Sequence, residues 1–198
     1  MIATLSWQIA RSSGIVAWVL VTLSVIWGLL LSTRLLRGRP GPRWLTDLHR
    51  FLGGLSVTFV GVHLAALAAD TYLPFGPMQL FVPFASSWRP TEVALGVTAF
   101  YLLLAVELTS LAKRHLSRRT WKAVHLTSYG LFVIATAHGL TTGTDTRNPL
   151  MWTTYVIAAA LVLFLTLISI LSNRTTRPTR TRTASRDRQP VPVTAPAP

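Results

Sequence analysis

The sequence predicts an all-α integral membrane protein, a bundle of five transmembrane helices. Three observations support this fold class. Half of the 198 residues are apolar (51%) and only 13% are charged, whereas soluble domains carry about 25% charged residues. The apolar residues form long blocks without the alternation that is typical of membrane β-barrels. Seven tryptophans suit aromatic belts at the membrane interfaces.

Five stretches that are nearly free of charge predict the individual helices. They cover residues 12–33, 51–69, 93–112, 123–144 and 148–173, and the third is interrupted only by Glu107. Each is near the ~20 residues that a helix needs to cross ~30 Å of hydrocarbon. Helix is the expected form because the bilayer offers no water to an unpaired backbone. The first stretch has no positive cluster before it and no clear cleavage site after it, so we expect a retained helix and not a signal peptide.

Lysine and arginine are distributed unevenly among the connecting segments. Sixteen lie in residues 34–50, in residues 113–122 and in the tail after Asn173, whereas Arg11, Arg89 and Arg147 lie on the other side. The positive-inside rule then predicts an outer N-terminus and cytoplasmic basic loops in a multi-pass protein of the cell membrane. This topology accounts for the formal net charge of +13, so we expect the lipid bilayer, and not nucleic acid, to be the partner of the basic residues.

Two segments outside the helices differ from the basic loops. Residues 70–90 are rich in proline and aromatic residues, and we expect them to form a cap at the outer interface; the alternative is that they only shield one end of the bundle. Residues 173–198 are mainly Arg, Thr and Pro, and we expect a disordered cytoplasmic tail because they cannot bury enough apolar surface to fold. Residues 1–172 then form the membrane domain.

Four of the five histidines lie in or at the ends of two predicted helices, His49 and His63 in the second and His125 and His138 in the fourth. One helix separates these two, so they run parallel. The histidines are 14 and 13 residues apart, which is about 21 Å and 19.5 Å of helical rise. The spacing therefore predicts two cross-helix pairs at matched depths, His49 with His125 and His63 with His138. A helix–helix hydrogen bond explains many single membrane histidines, but two matched pairs favour a functional role.

The paired histidines point to a ligand that needs only two protein groups. Zinc usually takes four ligands, and no cysteine or carboxylate recurs beside both pairs; the chain has no cysteine at all, which also excludes disulfides, iron–sulfur clusters and covalently attached haem. Haem leaves only two axial positions to the protein, so bis-histidine haem accounts for the pairs. An ideal helix turns by about 220° beyond whole turns over 13 residues, so His125 and His138 share a face only if the helix changes its winding or tilts, which Gly130 and Gly139 would ease. Otherwise the two haems lie on different sides of that helix.

The spacings His-x13-His and His-x12-His on parallel helices resemble the ferric reductase-like transmembrane domain. That family includes the membrane parts of NADPH oxidases and ferric reductases, and the haem-binding membrane subunit of the methionine sulfoxide reductase system. The resemblance implies two b-type haems, held by His49–His125 and His63–His138, that carry electrons across the membrane. It covers roughly residues 11–144. The 27 residues after Leu171 contain no glycine-rich nucleotide loop, and we count five helices where the family core has six. We therefore expect a separate electron donor, either a flavoprotein or a quinol.

Several further residues are candidates for supporting roles. Arginines at the membrane faces suit the anionic propionates of haem, so Arg50 is a candidate at the inner haem and Arg11 or Arg89 at the outer haem; the alternative is that they only set topology. Glu107 is a candidate for proton relay or quinone contact, but we favour pairing with Lys113 or Arg114. Phe59 and Phe132 are candidates for packing between the haems. The candidates for interfacial anchors are Trp7, Trp44, Trp88, Trp121 and Trp152.

The leading hypothesis is a di-haem b-type membrane cytochrome that transfers electrons to an outside acceptor, which is ferric iron, oxygen or a redox partner protein. It is an oxidoreductase component whose status as an enzyme the sequence leaves open. The alternative is a haem-free transporter or channel that uses the histidine pairs as a metal or proton path. A third hypothesis is a purely structural membrane anchor. The hydrolase motifs G-x-S-x-G and H-E-x-x-H are absent.

Overall fold

The computed structural model describes residues 2–33, 43–71, 75–144 and 148–174. For residues 2–4, 173 and 174 it describes the backbone only. The helices are α1 (Ile2–Ser32), α2 (Arg43–Ala68), α3 (Pro77–Phe81), α4 (Pro90–Leu111), α5 (Arg118–Leu126), α6 (Ser128–Thr142) and α7 (Pro149–Arg174), and a 3-10 turn covers Lys113–His115. Arg34, Arg37, Arg39, Arg147 and the tail after residue 174 lie outside the described residues.

Five helical segments are long and apolar enough to cross a membrane: Leu5–Ser32, Arg43–Ala68, Pro90–Leu111, Arg118–Thr142 and Pro149–Ser172. The protein is thus an all-α, multi-pass membrane protein, which confirms the predicted fold class. The first helix begins well before residue 12, where the sequence predicted it. Arginine is a good helix former, so Arg11 marks the edge of the uncharged stretch without ending the helix.

Local signals explain where several helices begin. Proline occupies the first position of α3, α4 and α7, where its missing N–H has no helical partner to lose. Ser117 precedes α5, and its side chain accepts a hydrogen bond from the backbone N–H of Thr120 at 3.0 Å. This cap stabilises the start of the short helix that carries His125.

The bundle is centred on α1, which packs against α2, α6 and α7, while α4 packs mainly against α6. The interior contains two clusters of apolar side chains. One surrounds Trp18 and Tyr155, and the other surrounds Leu103 and Leu131. Many large apolar side chains point outward, such as Leu111 and Leu150, which are 79% and 73% exposed. Lipid is as apolar as leucine, so such an outer surface is stable in a bilayer.

The fourth membrane span is interrupted between its two histidines. α5 ends at Leu126 and α6 begins at Ser128. At the junction the backbone N–H of Thr127 bonds to the carbonyl of Val124 at 3.0 Å, a three-residue spacing that winds the chain more tightly than an α-helix. The winding therefore changes locally between the two histidines. The change lies at Thr127 and not at Gly130 or Gly139, which are inside α6.

Candidate functional site

One cavity, the inner cavity, lies at the end of the bundle that carries the basic loops. It has a volume of about 160 Å³, and its lining includes His49 from α2 and His125 from α5. The two imidazole centroids are 6.0 Å apart and the rings are nearly perpendicular. An imidazole nitrogen lies about 2 Å from a bound metal, so this separation leaves room for one metal between the rings.

A second cavity, the outer cavity, lies toward the opposite end. It has a volume of about 230 Å³, and its lining includes His63 from α2 and His138 from α6. Residues of α1, α4 and α7 also line it, among them Arg11, Trp18 and Tyr155. The structure thus brings the four histidines into two cavities, with one ring from each of two parallel spans in each cavity.

Hydrogen bonds fix the orientation of the outer pair. His63 Nδ1 lies 2.7 Å from the carbonyl oxygen of Ala10, and His138 Nδ1 lies 2.8 Å from that of Glu92. A carbonyl oxygen only accepts, so both Nδ1 atoms carry the proton. The lone pair of each neutral ring is then on Nε2, where a metal binds.

The inner pair has weaker partners. His49 Nδ1 lies 3.4 Å from Ser24 Oγ, and His125 Nδ1 lies 3.5 Å from Ser110 Oγ. The His125 ring also stacks on Trp121, with centroids 4.9 Å apart. Stacking between rings one helical turn apart therefore helps to orient His125. The sequence indicated only an interfacial role for Trp121.

The two cavities adjoin one another. Val21, Leu103 and Leu131 line both, and all three side chains are buried. This shared wall is entirely aliphatic. Phe59 and Phe132, which the sequence suggested as packing between haems, line neither cavity, and Phe132 packs instead with Trp18 and Tyr155.

The three candidate arginines have different surroundings. Arg11 lines the outer cavity. Arg89 donates a hydrogen bond to the carbonyl of Thr141 and stacks over Trp88, whose ring lines the outer cavity. Arg50 does not line the inner cavity, and its side chain is 74% exposed beside Asp47, with N–O at 3.9 Å. The structure therefore brings Arg11 to its predicted cavity and leaves Arg50 at the surface.

The expected ion pair of Glu107 is absent from the described residues. Lys113 Nζ lies 4.0 Å from the centroid of the Trp121 ring, and Arg114 Nε donates to His115 Nε2 at 2.8 Å. The Glu107 carboxyl instead packs against Gly53 of α2. The preference for pairing with Lys113 or Arg114 was wrong, because those side chains contact Trp121 and His115 instead.

The segment before α4 closes the side of the outer cavity. Phe75, Gln79, Leu80 and Trp88 line that cavity, and the Tyr101 hydroxyl of α4 donates to the carbonyl of Phe81 at 2.8 Å. The expected outer cap is therefore part of the cavity wall. Its proline and aromatic content indicated a cap, but the sequence did not indicate that it contacts the histidine site.

The donor set is compatible with haem and not with a many-ligand metal site. Within the described ranges, no cluster of three or more His, Cys, Asp or Glu side chains is present that could hold a metal ion. Each cavity offers two imidazoles in apolar surroundings. Haem fits this donor set because its macrocycle supplies the remaining ligands.

The family's sequence model for the ferric reductase like transmembrane component matches residues 13–136. The chain belongs to this family. A curated relative, the haem-binding subunit MsrQ of the protein-methionine-sulfoxide reductase from Azospira oryzae, is 31% identical over 108 residues. The match covers 53% of this chain and 44% of the relative, so the chain aligns with less than half of that protein's length. No solved structure matches the chain.

Proposed function

We propose that this member of the ferric reductase-like family is a b-type membrane cytochrome that binds two haems and transfers electrons across the bilayer. One observation carries the proposal: each of two cavities is lined by a pair of imidazoles, one from α2 and one from α5 or α6. The relative whose name includes haem binding supports the same cofactor for this chain.

The four histidines would be the axial ligands, His49 with His125 in the inner cavity and His63 with His138 in the outer cavity. Haem, when bound, supplies reversible one-electron chemistry. The chain holds Nε2 of the outer rings toward the cavity through the hydrogen bonds of Nδ1. It excludes water with apolar side chains, and Arg11 provides a cation at the outer cavity for an anionic propionate.

The aliphatic wall between the cavities is consistent with electron transfer and less consistent with a proton or metal path. Val21, Leu103 and Leu131 offer no hydrogen-bonding group, so an ion or a proton crossing that wall would lose its polar partners. An electron needs no polar partner to cross the wall. This feature favours the cytochrome over the haem-free transporter.

The partners follow from the membrane sides. We infer a separate donor on the basic side, a flavoprotein or a quinol, and an acceptor on the other side. The relative's name refers to a methionine sulfoxide reductase, which favours a redox partner protein as the acceptor over ferric iron or oxygen.

The test is haem quantification per chain together with a reduced-minus-oxidised absorbance spectrum of the purified protein. We expect two b-type haems in the wild type. We expect one in His49→Ala or His125→Ala, with the outer haem kept, and one in His63→Ala with the inner haem kept.

His115→Ala is the matched control, because the exposed His115 side chain lies in the 3-10 turn and accepts a hydrogen bond from Arg114, away from both cavities. It should keep both haems. A wild-type protein without haem, made with ample haem supply, would overturn the proposal. So would retention of both haems in all the variants of the paired histidines.

A further inference from the structure

Three of the four histidine rings lie directly against a glycine of a neighbouring helix. A Cβ atom built on Gly14 would lie 3.0 Å from His63 Nδ1, one on Gly28 would lie 3.2 Å from His49 Cε1, and one on Gly96 would lie 2.6 Å from His138 Cε1. A methyl group at Gly96 would therefore displace the His138 ring, and one at Gly14 or Gly28 would push its ring away by a few tenths of an ångström. These contacts are specific, because Gly54, Gly61 and Gly130 have open space where a Cβ would be.

Each of these glycines follows, by four residues, the residue that contacts the same ring. His63 Nδ1 bonds to the carbonyl of Ala10, and Gly14 lies four residues later. His138 Nδ1 bonds to the carbonyl of Glu92, four residues before Gly96. The pattern recurs a third time, since His49 Nδ1 is nearest to the hydroxyl of Ser24, four residues before Gly28.

Helix geometry explains the spacing of four. A helical carbonyl accepts the N–H of the residue four positions later, so the side chain at that later position stands beside the same oxygen. A carbonyl oxygen has two lone pairs. A glycine at the later position leaves the second lone pair open to a donor on a neighbouring helix, whereas a methyl group there would crowd the imidazole and push it away from the oxygen.

We propose that Gly14, Gly28 and Gly96 are positioning residues for the axial histidines. They admit each ring to the surface of the neighbouring helix, and in the outer pair this lets Nδ1 donate to a carbonyl of that helix. This inference rests on the proposed haem function and extends it to residues of α1 and α4 that do not themselves bind the iron. His125 is the exception, since it stacks on Trp121 instead.

The hydrogen bond of Nδ1 has an electronic effect as well as a geometric one. Donation to a carbonyl raises the basicity of the opposite ring nitrogen, and a more basic axial ligand favours the ferric state. Loss of that bond therefore raises the reduction potential of the haem concerned. If a glycine served only close helix packing, its replacement by alanine would not shift the reduction potential of one haem alone.

The experiment compares alanine variants of these glycines with alanine variants of the open ones. The readouts are redox potentiometry of each haem and the electron paramagnetic resonance spectrum of the ferric protein, which reports the orientation of axial imidazoles. We expect Gly14→Ala and Gly96→Ala to raise the outer potential and change the outer signal. We expect Gly28→Ala to change the signal of the inner haem, because its methyl group would move the His49 ring. The matched controls, expected to be unchanged, are Gly54→Ala, Gly61→Ala and Gly130→Ala.

A second measurement avoids variants that fail to fold. In His63→Gly, added imidazole should restore the outer haem, because its N–H reaches the Ala10 carbonyl. Added 1-methylimidazole has no such N–H and carries a methyl group at the crowded position, so it should restore the haem poorly or at a higher potential. Equal restoration at equal potential by the two compounds would overturn the inference.

The inference and the proposed function fail in different ways. If the wild type binds two haems but Gly14→Ala, Gly28→Ala and Gly96→Ala keep wild-type potentials and spectra, only the positioning role is refuted. If the wild type binds no haem, the proposed function and the positioning role both fall.

Discussion

Truncation of Leu103 tests the shared wall between the two cavities. Leu103 is 4% exposed and lines both of them. In water, Leu→Ala in a packed core costs about 2–5 kcal/mol, part of which is transfer of the methyl groups from water. In a bilayer that transfer contribution falls away because the unfolded helices remain in lipid. The lost van der Waals contacts remain, and we expect about 2 kcal/mol of destabilisation for Leu103→Ala.

Leu108 provides the matched control on the same helix, because its side chain is 59% exposed toward lipid. We expect Leu108→Ala to change the free energy of unfolding by less than about 0.5 kcal/mol. The assay is unfolding of the purified protein in mixed micelles with increasing sodium dodecyl sulfate, followed by far-ultraviolet circular dichroism. Equal free-energy losses in the two variants would refute the assignment of Leu103 to a packed wall.

Three further predictions concern other parts of the protein. Phe84 has a left-handed backbone with φ of 66° and an exposed side chain, so Phe84→Gly should raise the free energy of unfolding by about 1 kcal/mol, and Phe84→Ala should give no such gain in the same assay. Gly53→Ala should destabilise by about 1 kcal/mol at most, because its methyl group meets the Glu107 carboxyl, which is the end of a flexible side chain and can move aside. A double-mutant cycle with Glu107→Ala should recover most of that loss; additive losses would contradict the contact. Arg11→Gln should lower the potential of the outer haem, because a nearby cation favours the reduced form, while Arg50→Gln should leave the inner potential unchanged; potentiometry distinguishes the two.

The sequence was sufficient for features that depend on periodicity and spacing. The five spans follow from uncharged stretches, and the two histidine pairs follow from matched spacings on parallel helices. Such features can be predicted because a bilayer fixes the direction and depth of a helix. The residue number then gives the position along the membrane normal.

Features that depend on how helices face each other were not predictable. The contacts of Gly14 and Gly28 with histidines depend on the register between α1 and α2, which no local pattern encodes. Trp121 was assigned to the interface because it lies near a helix end, but its place one turn before His125 allows the stack. The exposed position of the Arg50 side chain was not predictable for a related reason, since charge counts give a side of the membrane and not the direction of a side chain.

The register between α1 and α2 has a consequence for the spacing within α1. Gly14 lies against His63 and Gly28 lies against His49. The two helices run in opposite directions, and the interval between the glycines of α1 equals the interval between the histidines of α2. Each inserted residue turns a helix by about 100°. A single insertion or deletion between Gly14 and Gly28 would therefore keep one of these glycines against its histidine and rotate the other glycine away from its own. Substitutions are tolerated in that interval where size permits, but its length is constrained by both cavities at once.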